Sequence, residues 1–227
     1  IPYCTVHLGL GNVSCPDSDL GQSIPLAELG SVQLEFAALR AALSADPPPA
    51  GSSWPMTALP DADNALRAVR RLPALHGLYP TRMRPQSGGP ASKEVGFGSG
   101  TDSFYETLLK RWIQGGKREV SGRTPKPFSR SYCSPHRYLT GLMPMHVPVN
   151  LCAQDWLREM YRDSLVGLRR LLRRSHPSNL LFVARANGGE VGMVRPRSHV
   201  LRDRHTFEHL SCFLPGMLAL GAHHRAG

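Results

Sequence analysis

Between Val95 and Lys117 the chain passes from a glycine-rich run, Val95-Gly-Phe-Gly-Ser-Gly-Thr101, straight into Asp102-Ser-Phe-Tyr-Glu106-Thr-Leu-Leu-Lys110-Arg-Trp112. No other stretch constrains the fold as much. Phe104, Leu108 and Trp112 recur every four residues, which predicts a helix with one buried stripe. Ser103 and Glu106 have the S-x-x-E spacing of a capping box, with Asp102 as a first-turn charge favoured by the helix dipole. The glycines do not read as a phosphate cradle. There is no GK[ST], and Gly96-x-Gly98-x-Gly100 departs from dinucleotide spacing.

Other segments carry the same helical rhythm. Residues 26–44 place Leu29, Val32, Phe36, Leu39 and Leu43 at steps of three and four, which predicts one buried face. Glu28 and Glu35 are seven apart, so on a helix they lie within about 20° of each other beside that face. Residues 155–174 predict a helix with Trp156, Met160, Leu165, Leu168, Leu171 and Leu172 inward. A short helix at 62–72 (Ala65, Leu66, Val69, Leu72) leads into a turn at His76-Gly-Leu-Tyr-Pro80. Leu180–Ala184 and Glu190–Val194, joined through Asn187-Gly-Gly, predict a β-hairpin. Between these, the proline-rich break after Asp46, the stretch 118–154 and the basic stretch 195–206 show no period. The second is long for a loop inside a compact domain.

The formal charge is +10, with Arg169, Arg170, Arg173, Arg174, Arg195, Arg197, Arg202 and Arg204 crowded into the last third. That distribution suits a solvated helix face followed by a basic loop. No zinc-finger spacing, RNP-like aromatic string or helix-turn-helix pattern accompanies it, so no nucleic-acid partner is expected. Residues 210–222 are apolar but contain Pro215 and Gly216, and fall short of the ~20 residues that cross a bilayer. No signal peptide opens the chain. The five cysteines are scattered without CxxC, which excludes a dense disulfide scaffold. Asn12-Val13-Ser14 is an N-glycosylation sequon, meaningful only in a lumenal protein. His205-Thr-Phe-Glu208-His209 matches the H-x-x-E-H zinc string, but a basic stretch precedes it, Pro215-Gly216 follows, and no downstream acidic ligand remains.

Several blocks, in their order and spacing, resemble the class I processing α-1,2-mannosidases, glycoside hydrolase family 47. They are Ile1-Pro-Tyr-Cys-Thr-Val6, Leu26-Ala-Glu28-Leu-Gly-Ser-Val-Gln-Leu-Glu35-Phe36, His76-Gly-Leu-Tyr-Pro80, Gly100-Thr-Asp102-Ser-Phe-Tyr-Glu106-Thr-Leu-Leu-Lys110 and His209-Leu-Ser-Cys212-Phe-Leu-Pro-Gly-Met-Leu-Ala-Leu-Gly221. The helix end Leu171–Ser175 with Leu180–Ala184 is similar to the element between the last two. The resemblance implies an all-α fold, a partial (α/α)₇ barrel of helical hairpins with short β-hairpins and long unmatched loops. It implies one partial glycosidase catalytic domain over 1–227, in which 47–74, 119–154 and 191–206 match nothing. These read as lineage insertions or, for 119–154, as translated intervening sequence.

By the same resemblance Asp102 matches one of three core catalytic carboxylates, and Glu106, Glu35 and Glu28 match acids that line the sugar pocket. The implied activity is inverting, calcium-dependent hydrolysis of terminal α-1,2-linked mannose on high-mannose N-glycans of glycoproteins. Ca²⁺ is expected of the family, but its threonine contact is expected beyond Gly227, so no metal ligand is assigned in this chain. The other catalytic acids are expected before Ile1 and after Gly227, so the chain alone is expected to be inactive. The setting implied is the endoplasmic reticulum or Golgi lumen, with membrane attachment only through a segment absent here, as in a type II membrane protein. Departures are specific. Thr107 replaces a tyrosine, Arg185 stands where members carry Glu, and Arg204–Glu208 replaces a Lys-Met-Asp before His209. Gly100 stands where one subtype carries Arg and the other an apolar residue. Cys212 matches a cysteine whose disulfide partner is expected beyond this chain. Two other classes stand beside this reading: a non-catalytic glycan-binding relative in glycoprotein quality control, and a basic nucleic-acid or membrane-surface protein.

Overall fold

Amphipathic helices and short strands share one apolar core in the computed structural model, which describes residues 4–14, 22–45, 63–115, 155–187 and 202–227. The first half runs β1 (Thr5–Val6), β2 (Val13–Ser14), β3 (Ile24–Pro25), α1 (Leu26–Ser31), α2 (Gln33–Ala45) and α3 (Asn64–Arg70). Then follow β4 (Arg82–Met83), β5 (Glu94–Val95), α4 (Asp102–Gln114), α5 (Asp155–Leu171), β6 (Leu172–Arg174), β7 (Leu181–Asn187) and β8 (Arg202–Phe207). A 3₁₀ turn, His209–Phe213, leads into α6 (Leu214–His223). No described helix is long and apolar enough to cross a membrane.

Helix α4 is the centre of the core. Phe104, Leu108 and Trp112 are all fully or almost fully buried, as their spacing predicts. Each large apolar side chain so buried contributes roughly 1.5–3 kcal/mol, enough to hold an otherwise marginal short helix. α1 lies along α4 and buries Leu26, Ala27, Leu29 and Gly30. Leu66 and Val69 of α3 are fully buried, within the stretch 47–74 expected to be an insert or loop. The turn at 76–80 forms, with positive φ at His76 and Gly77.

The long helix expected over 26–44 is interrupted at Val32. The buried face continues through Gln33, 2% exposed, while Val32 and Phe36 are each 42% exposed. The apolar stripe and the packed face therefore diverge. Gln33 is accepted inside because its Nε2 donates to the Leu29 carbonyl one turn back, at 3.2 Å. The helix expected to reach 174 ends at Leu171, where residues 172–174 turn into β6 and leave Leu172 exposed rather than inward.

β7 is the strand common to a four-stranded antiparallel sheet. It pairs with β6 through Val183↔Leu172, with β5 through Ala186↔Val95 and with β8 through Asn187↔Arg202. Asn187 and Ala186 pair with both β5 and β8, so those two strands flank it. The stretch expected to be aperiodic over 195–206 thus supplies a strand from Arg202 onward. The expected hairpin partner at 190–194, and all of 118–154, lie outside the described residues.

Candidate active site

Two short strand pairs deliver two helix starts to one place. Pro25 of β3 precedes α1, and the loop after β5 precedes α4. An unsatisfied N–H at a helix start needs an acceptor, and here each helix start uses the neighbouring loop. Leu26 N–H donates to the Thr81 carbonyl and Ala27 N–H to the Gly100 carbonyl, both at 2.9 Å. The start of α4 is closed by the Gly98 carbonyl, which accepts from both Thr101 and Asp102 N–H at 3.0 Å. The expected capping box is not formed. Thr101 is the residue before the first helical position, no side chain caps it, and Glu106 instead pairs with Lys110 at 2.7 Å. Thr101 is buried because its Oγ1 turns back to the Gly96 carbonyl at 2.8 Å. Gly100 has φ +86°, which strains any residue with a side chain.

Asp102 occupies the first position of α4 and is partly exposed. Among the described residues nothing hydrogen-bonds or pairs with its carboxylate. Glu106 is one turn further along the same helix. Glu28, exposed in the first turn of α1, follows the residue whose N–H is bonded to Gly100, so the structure brings the segments bearing Glu28, Asp102 and Glu106 to one end of the α1–α4 pair. Glu35 is elsewhere. Gln114, at the last position of α4, donates to the Leu34 carbonyl at 3.1 Å, which places Glu35 near the opposite end of that helix. Twelve residues at ~1.5 Å of rise separate the two ends by about 18 Å.

The first turn of α4 also carries two aromatic residues of the buried core. Phe104 and Tyr105 stand edge to face with ring centroids 5.2 Å apart, and Phe97 lies 4.5 Å from Tyr105. Tyr79 N–H donates to the Tyr105 hydroxyl at 2.9 Å, tying the 76–80 turn to α4. Burial pushes the Tyr105 phenol well above the usual tyrosine range. Burial, helped by Asp163 and opposed by Arg70, pushes Tyr79 up to about 12.

Sequence reasoning missed a charged cluster beside this loop: Arg185 of β7 with Glu94 of β5 and Glu208 after β8. Arg185 was visible only as a departure, and Glu208 only as part of the zinc string and of the Arg204–Glu208 departure. That string lies across β8 and the following 3₁₀ turn rather than on one helix. Among the described residues no group of three or more His, Cys, Asp or Glu side chains could hold a metal ion. Cys212 is an exposed free thiol.

An unengaged carboxylate at the start of a core helix is compatible with acid-base chemistry, and comparison with known sequences narrows the class. The chain belongs to glycosyl hydrolase family 47, whose pattern matches residues 1–226. It is 30% identical to mannosyl-oligosaccharide 1,2-alpha-mannosidase MNS3 of Arabidopsis thaliana over 98% of this chain and 27% of that protein. It is 29% identical to the MNS1 enzyme of the same plant over 98% of this chain and 30% of that protein. The endoplasmic reticulum mannosyl-oligosaccharide 1,2-alpha-mannosidase of Homo sapiens is 30% identical over 99% of this chain and 24% of its own length. The chain thus spans between about a quarter and a third of these relatives.

Proposed function

We propose that this chain is one part of an inverting mannosyl-oligosaccharide 1,2-α-mannosidase, and that Asp102 is one of its reacting carboxylates. The observation that supports this most is the position of Asp102 within a family 47 chain: first residue of a core helix, partly open, its carboxylate unengaged among the described residues. Inversion needs one carboxyl group to protonate the leaving oxygen and another to activate water, about 6.5–9.5 Å apart. Asp102 supplies one. In this reading Glu28 and Glu106, toward the same end of the α1–α4 pair as Asp102, meet sugar hydroxyls, and Glu35 serves a more distant part of the glycan. The other catalytic carboxylates, and the ligands for Ca²⁺, come from parts of the catalytic domain outside this chain. The helices and short strands described here form part of an (α/α)₇ barrel in this reading. The substrate is terminal α-1,2-linked mannose on high-mannose N-glycans in the endoplasmic reticulum or Golgi lumen.

Two consequences are measurable. The chain alone releases no mannose from a high-mannose N-glycan, with or without added Ca²⁺. It does bind α-1,2-linked mannobiose weakly. In nuclear magnetic resonance titrations the shifts caused by the sugar gather on residues 26–28 and 100–106. Shifts scattered over the chain, or none, would count against the site.

A further inference from the structure

Both backbone polar groups of Ser99, its N–H and its carbonyl, are held by side chains from distant parts of the chain. Its N–H donates to Glu208 Oε2 at 2.7 Å, and its carbonyl accepts from Arg185 Nη2 at 3.0 Å. Arg185 Nη1 closes the ring on Glu208 Oε1 at 2.8 Å. Glu94 Oε2 lies 3.8 Å from the same Nη1, so the guanidinium sits between two carboxylates. All three side chains are about three-quarters shielded from solvent, where charge-assisted hydrogen bonds are worth more than on an open surface. Gly98 permits the approach, because a Cβ there would collide with Glu208 Oε2. The same Gly98 closes the start of α4 through its carbonyl, bonded to Thr101 and Asp102 N–H.

We propose that Arg185 and Glu208 act as one positioning unit for Asp102. By locking the Gly98–Gly100 turn they set the backbone from which the Asp102 carboxylate projects. Arg185, a departure from the family pattern, is then no defect. It sits between Glu94 and Glu208, offsets one of their two charges, and donates to the loop carbonyl, which a glutamate could not do. The role for Asp102 rests on the sugar-site reading above; the grip on Ser99 does not.

Hydrogen exchange read by mass spectrometry tests the grip in the chain as it stands, against Glu208→Ala, Glu208→Gln, Arg185→Ala and the double alanine variant. Opening the ring exposes the Ser99 peptide, so either alanine variant speeds exchange across 96–104 by about tenfold. The double variant is no faster than the quicker single one, because one break already opens the ring. Glu208→Gln keeps an acceptor for Ser99 N–H but not the charge, and falls between. Protection around Leu168 in α5 reports that each variant is folded; should Glu208→Ala lose it, the glutamine variant carries the comparison. Positioning is read in the carboxyl carbon resonance of Asp102, which moves in the alanine variants, returns toward its original place in Glu208→Gln and stays put in Arg174→Ala. Unchanged exchange at 96–104 in the folded variants would overturn the grip. Faster exchange with an unmoved Asp102 resonance would overturn the positioning role. Failure of the unaltered chain to bind mannobiose would instead remove the sugar-site reading and leave the exchange result intact.

Discussion

Gly30 of α1 rests directly on the ring of Phe104 in α4, so closely that a Cβ at Gly30 would collide with Phe104 Cδ2. This contact, with the Ala27–Gly100 hydrogen bond one turn earlier, sets the register between the helices that carry Glu28 and Asp102. Gly30→Ala sets two effects against each other. Alanine favours the helix by roughly 0.8–1 kcal/mol. Forcing a methyl group against a fully buried ring costs roughly 1–3 kcal/mol. The clash wins, and urea unfolding should show a net loss of about 1 kcal/mol; a gain would mean that α1 lifts from α4 without cost.

Arg111 and Asp63 form a buried ion pair between α4 and the start of α3. Nη2 and Oδ2 are 3.2 Å apart, with the side chains 3% and 7% exposed. Desolvation makes such a pair a poor source of net stability, but removing one partner strands the other. Arg111→Met should cost about 3–5 kcal/mol, and the double change Arg111→Met with Asp63→Leu distinctly less. Equal losses in the two variants would show that Asp63 reaches water when unpaired.

Tyr79 and Tyr105, two of the three buried tyrosines among the described residues, predict an alkaline limit. Both phenols lose their protons less readily in the folded chain than at the ordinary value of 10.0, with Tyr79 raised to about 12 and Tyr105 higher still. Above pH 10 the unfolded chain therefore binds fewer protons than the folded one. Their contribution is fully present below pH 10 and is lost as pH rises toward 12 and beyond. Tyrosinate absorbance and loss of helical ellipticity should accordingly rise together above pH 10. Tyr105→Phe, which orphans Tyr79 N–H, should cost about 1–3 kcal/mol even at neutral pH.

A cleft of about 500 Å³ runs between α5, the strands and α6, lined by Leu165, Leu168, Leu181, Phe207, Leu214 and Leu218 among others. Leu181 is 58% exposed and Phe207 52%. Exposed apolar surface of this kind binds hydrophobic dyes and promotes association. The paired change Leu181→Ser and Phe207→Ser should lower both dye fluorescence and concentration-dependent light scattering. No change in either would place the sticky surface elsewhere.

Legibility in the sequence followed the physics of each element. α4 was readable because its burial and its 3.6-residue period coincide at Phe104, Leu108 and Trp112. The helix over 26–44 was misread after Leu29, because packing chose Gln33 over Val32 and a buried amide leaves no apolar signal. β8, from Arg202 to Phe207, is too polar to show strand alternation; it forms because β7 offers it an edge. The place of Asp102 at the start of α4 was legible through its surrounding block. The Arg185–Glu208–Ser99 ring was not, since it joins residues 86 and 109 positions apart and depends on a glycine at 98 that serves approach rather than flexibility.

The central claim is that Asp102 reacts rather than merely opening a helix. Its most direct test places residues 1–226 in the matched segment of a family 47 mannosidase and measures mannose release beside the same protein carrying Asp102→Asn. Asparagine keeps the shape and removes the charge. A reacting carboxylate predicts a loss of about a hundredfold or more in kcat with little change in KM, the mark of an interaction made only in the transition state. Equal kcat in an active protein and its Asp102→Asn variant would contradict the account and reduce Asp102 to a first-turn charge.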